Sequence, residues 1–220
     1  PLSKYIKEVI IVTNDTLMML PTKRERDKYM RGFEKRIYKQ EYDRIQNKYR
    51  NCLNRRDGSQ MKLMSKFMSI LTTYPDQPYA HEPICEPRDK SVIVEPKDLS
   101  NPEEMHEKDV ATLDIVKRKV ANGEKVLIYT SWVKIDSQDK LTKCLAENGY
   151  RVAILKQNVP PEKREAWVQK KVEEGLDVLI TNPSLVETGL DLNAFTTLIY
   201  YNIGYNLFTF RVRHVAIQSV

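Results

Sequence analysis

The stretch Asp177-Val-Leu-Ile-Thr-Asn-Pro-Ser-Leu-Val-Glu-Thr-Gly-Leu-Asp-Leu192 decides the fold. Its first five residues form a short apolar, β-branched run, which predicts a buried strand. The run breaks at Asn182-Pro183-Ser184, and a polar loop then closes on Thr188-Gly189-Leu190-Asp191-Leu192. A strand that ends in small and hydroxyl residues, then Gly, then Asp, is how an α/β sheet presents a phosphate-sensing loop at its carboxyl edge.

Working outward, the surrounding sequence alternates strand and helix. Residues 110–120 carry Val110, Leu113, Val116 and Val120 at helical spacing and stop at Asn122-Gly123. A strand is expected over 125–130, then a helix over 135–147 with Leu141, Cys144 and Leu145 on one stripe, ended by Asn148-Gly149. Another strand follows over 151–155. Pro160-Pro161 opens a helix reaching Lys171, with Pro161 suited to the first turn. Residues 177–181 and 197–202 supply two further strands. Strands separated by helices imply right-handed crossovers and a parallel sheet with helices on both faces.

Residues 1–100 follow a different pattern and are expected to form a helical linker or protrusion. Residues 8–13 could be a strand. From Lys23 to Asn54 the chain is charged and free of Pro, and Phe33, Ile37, Tyr38, Tyr42, Ile45 and Tyr49 recur at helical spacing. That stripe reads as packing rather than as a platform for stacked bases. Arg56-Asp57-Gly58-Ser59 makes a turn, residues 61–72 a second helix, and residues 74–88, with four prolines, an extended linker. Residues 91–95 could form one more strand. The α/β domain is expected over 101–220.

The chain has 220 residues, with 36 basic and 30 acidic side chains and a net charge of +6. That surplus suits a phosphate-backbone partner without requiring one. No apolar run approaches the roughly 18 residues a membrane helix needs, so no membrane association is expected. Cys52, Cys85 and Cys144 lack metal-ligand spacing and read as incidental thiols in a reducing cytosol, or a nucleus if the source is eukaryotic. His81, His106 and His214 have no partner at ligand spacing, so no metal site is expected. On residue type alone Trp132 and Trp167 read as packing. The chain opens on Pro1 and stops at Val220 within a pattern, which reads as part of a longer protein.

The order of these elements resembles a known family. Val126-Leu-Ile-Tyr-Thr-Ser-Trp132, a helix, a second strand, the Pro160-Pro-Glu-Lys-Arg164 helix start and the Asp177–Leu192 stretch together resemble motifs IV and V of the second RecA-like lobe in Swi/Snf-type ATPases. These are the translocating branch of superfamily 2 helicases. Thr197-Leu-Ile-Tyr-Tyr-Asn-Ile-Gly-Tyr-Asn206 is similar to the strand that follows. Leu20-Pro-Thr-Lys-Arg-Glu25 and Ser69-Ile-Leu-Thr-Thr-Tyr-Pro75 resemble stretches of the helical region between that family's lobes. The resemblance implies ATP with Mg²⁺ bound between two lobes, with Glu187, Thr188, Gly189 and Asp191 on the nucleotide side. It implies DNA, double-stranded and bound without sequence preference, at the strand ends through Thr130, Ser131, Trp132, Asn182 and Ser184. Arg211 and Arg213 fall where the catalytic arginines of motif VI are expected. That segment departs from the family pattern, with Val212 in place of Gln and Leu207 in place of Pro.

The sequence holds no Gly-x-x-x-x-Gly-Lys-Ser/Thr loop and no Asp-Glu-x-His box. In the resembled family both belong to the first lobe. This chain is therefore expected to need that lobe as a partner in cis, and to hold no nucleotide tightly alone. Two alternatives remain open: an RNA helicase lobe, and a non-catalytic interaction module that keeps the RecA-like fold.

Overall fold

A computed structural model describes residues 8–11, 36–55, 57–130, 137–186 and 190–202. The chain divides into two compact units, Pro1–Thr16 with Glu107–Val220, and Leu17–His106.

The first unit is built on a five-stranded sheet whose order is Glu8–Ile11, Phe195–Tyr200, Lys125–Tyr129, Val178–Thr181, Val152–Leu155. The strands are β1 (Glu8–Ile11), β4 (Lys125–Tyr129), β5 (Val152–Leu155), β6 (Val178–Thr181) and β7 (Phe195–Tyr200). Every pairing is parallel. The central strands carry continuous apolar runs, Val126–Tyr129, Val178–Ile180 and Leu198–Tyr200, because both faces are covered. Along β4, Val126 and Ile128 face one core while Leu127 and Tyr129 face the other. Helices α3 (Glu107–Ala121) and α4 (Ser137–Glu147) cover the first face, contributing Ile115, Val116, Leu141 and Leu145. Helix α5 (Arg164–Glu173) and the segment bearing Leu185, Val186, Leu190 and Leu192 cover the second.

The chain runs outward from β4 to β5 across the first face and returns through β6 to β7 across the second. Direction and face reverse together, as a single hand of crossover requires. This is the α/β RecA-like arrangement, a parallel sheet with helices on both faces. One of its two edge strands comes from Glu8–Ile11, so the unit is not confined to residues 101–220 as the sequence pattern suggested.

The second unit contains α1 (Arg36–Leu53), α2 (Gln60–Thr73) and an antiparallel pair, β2 (Ile84–Cys85) with β3 (Val92–Val94). Ile45, Cys52, Leu63, Phe67, Leu71, Tyr74, Ile84 and Val94 form its core. Tyr42 and Tyr49 pack against that core, Tyr49 with its ring 5.6 Å from Phe67, so on the described turns the tyrosine stripe is packing. Residues 74–88 are not the extended linker their prolines suggested. Tyr74, Gln77, Pro78 and Tyr79 are buried, and Ile84 pairs with Val94. Tyr74 donates its hydroxyl to the Lys97 carbonyl at 2.7 Å, and Leu99 N–H donates to the Pro78 carbonyl at 2.8 Å. These bonds fold the proline-rich segment back on its own unit. The residues 20–25 resemblance, Phe33 and His214 lie outside the described residues.

Candidate functional site

The carboxyl ends of β4, β6 and β7 bring Thr130, Thr181, Asn182 and Asn202 to one edge of the sheet. Parallel pairing forces this, because every strand must end on the same side. Thr130 N–H continues the ladder to the Thr181 carbonyl at 3.0 Å. The hydroxyls that follow diverge sharply. Thr130 is fully buried, and its Oγ1 accepts a 2.6 Å hydrogen bond from Gln138 Nε2 at the start of α4. Thr181 is also fully buried and donates to the Leu155 carbonyl at 3.2 Å. Ser184 alone of the three is exposed.

Ser184 sits on a one-turn 3₁₀ helix, Pro183–Leu185, capped by Asn182. Asn182 Oδ1 accepts both the Ser184 amide at 2.9 Å and the Ser184 hydroxyl at 2.7 Å. Pro183 fixes φ at the first position and has no amide to satisfy, so Asn-Pro-Ser is a self-sufficient turn. Below it Arg164 is buried. Its Nε donates to the Val159 carbonyl at 3.1 Å and its Nη1 to the Leu185 carbonyl at 3.0 Å.

The Leu-Asp-Leu end of the loop is anchored by its apolar residues. Leu190 and Leu192 are buried in the second core, whereas Asp191 is exposed. Asp191 Oδ1 accepts the Asn193 amide at 3.0 Å and so starts the turn into β7. At the end of β7, Tyr200 meets Tyr129 edge-on with centroids 5.4 Å apart, and burial pushes its phenol pKa up to about 12. Tyr201 donates a 2.5 Å hydrogen bond to the buried Asp109 of α3, and Lys140 of α4 lies 2.9 Å from that carboxylate. The Lys140 ammonium lacks hydrogen-bond alignment there, so the contact is a charge contact.

Thr130, Asn182 and Ser184 thus lie at the carboxyl edge of the sheet, whereas Asp191 lies on the turn that leads into the amino end of β7. Ser131, Trp132, Glu187, Thr188, Gly189, Arg211 and Arg213 lie outside the described residues. Sequence reading gave no role to Gln138, Asp109 or Lys140, and noted Arg164 only as a position in a family pattern. Each is a polar residue in a charged helical stretch, and nothing in its local spacing marks it as buried. Of the residues expected on the nucleotide side, only Asp191 is among the described residues. Among the described residues no group of three His, Cys, Asp or Glu could hold a metal, and the Asp191 carboxylate is engaged by its own turn.

A parallel sheet with a buried hydroxyl strand end and an Asn-capped serine turn at its carboxyl edge, and a leucine-anchored acidic turn leading into β7, defines a RecA-like lobe. Residues 107–219 match the helicase conserved C-terminal domain, and the chain belongs to that family as a helicase C-terminal lobe. No curated protein matches the sequence. Among the described residues no helix is long and apolar enough to cross a membrane.

Proposed function

We propose that this lobe serves an ATP-driven translocase of the Swi/Snf branch, gripping the backbone of double-stranded DNA at the carboxyl edge of its sheet. The observation that carries the reading is the exposed Asn182-capped Ser184 turn. An exposed hydroxyl at a strand end can donate to a phosphate oxygen, a contact that carries no sequence information, which suits a motor that must accept any sequence. In the folded state the Ser184 hydroxyl donates to Asn182, and rotation about Cβ–Oγ redirects that proton toward a phosphate. The net charge of +6 adds a sequence-independent attraction.

Nucleotide enters this reading through the missing lobe, which would bring the phosphate loop and the Mg²⁺ ligands. ATP with Mg²⁺ supplies the phosphoryl group whose hydrolysis drives movement. This chain's part is one wall of the cleft, built on the Glu187–Asp191 segment with Arg211 and Arg213 beyond it.

The test is ATP hydrolysis by the protein that joins this lobe to its first lobe, with double-stranded DNA or RNA added. Stimulation by double-stranded DNA, reduced by Ser184→Ala, is expected. Stimulation by RNA alone would make it an RNA helicase lobe. No stimulation by either would favour an interaction module, the reading that the departure at Val212 supports. The 220 residues by themselves are expected to show no ATP hydrolysis, because one wall cannot enclose the transferring phosphoryl group. Tight ATP binding to this chain by calorimetry, lost in Asp191→Ala, would instead indicate a self-contained nucleotide site.

A further inference from the structure

Arg164 is the first residue of α5 and about nine-tenths buried, and among the described residues its hydrogen bonds go only to two backbone carbonyls. Among the described residues it forms no ion pair. A buried guanidinium without a carboxylate is an expensive way to stabilise a fold, since an apolar side chain of similar volume commonly serves as well or better. What an apolar residue cannot do is hold two carbonyls at a fixed angle and separation. The planar guanidinium fork does this, and a lysine ammonium, a point charge on a flexible stem, does not.

The two carbonyls belong to different loops on the same edge. Val159 lies in the connection from β5 to α5. Leu185 ends the Pro183–Leu185 turn that carries Ser184. Asn182 grips this turn from its amino side through the Ser184 amide and hydroxyl, and Arg164 grips it from its carboxyl side. The turn is therefore held at both ends, and its serine faces solvent between them.

We propose that Arg164 is a positioning residue for nucleic-acid contact, bracing the Pro183–Leu185 turn so that Ser184 meets a phosphate at the sheet edge. The proposal rests on the reading of Ser184 given above. It assigns Arg164 no contact with the nucleic acid. Its effect on binding must pass through the turn, so removing Ser184 must abolish it.

The experiment measures binding of a labelled double-stranded DNA to the full 220-residue chain by fluorescence anisotropy at low salt, with a thermal melt of each variant. Arg164→Lys keeps the charge and loses the fork. It should weaken binding about tenfold, the size of one lost hydrogen bond to a charged group, as should Ser184→Ala. The double variant should bind no more weakly than Ser184→Ala alone. A double variant weaker by the product of both effects would overturn the proposal, as would wild-type affinity in Arg164→Lys beside a weakened Ser184→Ala. Wild-type affinity in Ser184→Ala would overturn the Ser184 reading, and this proposal with it. Should Arg164→Lys not fold, Arg164→Gln retains one donor toward the Leu185 carbonyl, and the same comparison with Ser184→Ala applies.

Discussion

Thr130, Thr181 and Ser184 bring the same functional group to the same sheet edge and end in different environments. Two are buried and bonded inward to Gln138 and to the Leu155 carbonyl, and one is exposed. Thr130→Val should therefore cost about 1–2 kcal/mol in urea denaturation, because Gln138 would lose its buried acceptor. Ser184→Ala should stay within about 0.5 kcal/mol of wild type. A second residue-scale expectation concerns Ala80, which has φ 56°, with its amide donating to Asp98 Oδ1 at 2.8 Å. The left-handed region disfavours any Cβ by roughly 1–2 kcal/mol. Ala80→Gly relieves that strain but adds freedom to the unfolded chain, so it should raise the unfolding free energy from urea denaturation by about 0.5 kcal/mol.

His81 adds a pH dependence. Burial lowers its pKa, opposed by the 2.6 Å hydrogen bond from Nε2 to the Gln77 carbonyl and by the charge of Asp98. Its folded pKa lies below the unfolded value of about 6.5, so its contribution is whole above that pH and is lost as pH falls toward the folded pKa. Stability measured from pH 7.5 to 5 should fall more steeply in wild type than in His81→Gln. These residues also mark where sequence reading stops. Hydroxyl identity and strand-end position could be read from the chain, but which hydroxyl turns inward is fixed by Gln138 and Leu155, which come from other elements.

At the scale of elements, hydrophobic period located the helices well and misplaced one face. Helix α3 was expected to bury Val110 with Val116, yet Val110 is 43% exposed while Asp109 and Thr112 are buried. The face rotates because Asp109 has partners in Tyr201 and Lys140, and Thr112 returns its hydroxyl to the Lys108 carbonyl at 2.8 Å. A period count treats a charged residue as outward and cannot see a partner ninety-odd positions away. Asp109→Ala would leave a Lys140 ammonium that is mostly buried without its counter-charge, so the α/β unit should lose about 3 kcal/mol or more in chemical denaturation. Lys140→Met made together with Asp109→Leu should recover part of that loss. Failure of the pair to recover any would show that Tyr201, rather than the charges, sets the cost.

At the scale of the whole molecule, strand alternation revealed the parallel sheet because parallel strands buried on both faces leave continuous apolar runs. The same pattern could not reveal that β1 joins the sheet from the other end of the sequence. A four-residue strand at the sheet edge carries little signal, and its partner β7 follows after the whole second unit. The tie is visible only in three dimensions. Lys119 of α3 pairs with Glu8 of β1 and lies 3.4 Å from Glu124. Glu124 also accepts the hydroxyls of Thr196 and Thr197 at 3.0 Å each. Burial opposes the Glu124 charge, but the two hydroxyls and Lys119 outweigh it and hold its pKa below the ordinary range.

Removing residues 1–11 should leave β7 as an unpaired edge, its amides opposite β1 open to water and to other chains. The expected result is a lower melting temperature, faster hydrogen exchange along β7 and concentration-dependent aggregation. Exchange in α1 and α2, whose core is their own, should stay unchanged. Lys119→Met keeps β1 but cuts its ionic tie, and should give the same exchange pattern in weaker form. Uniform acceleration across both units in the truncated chain would show that β1 supports more than the sheet it pairs with.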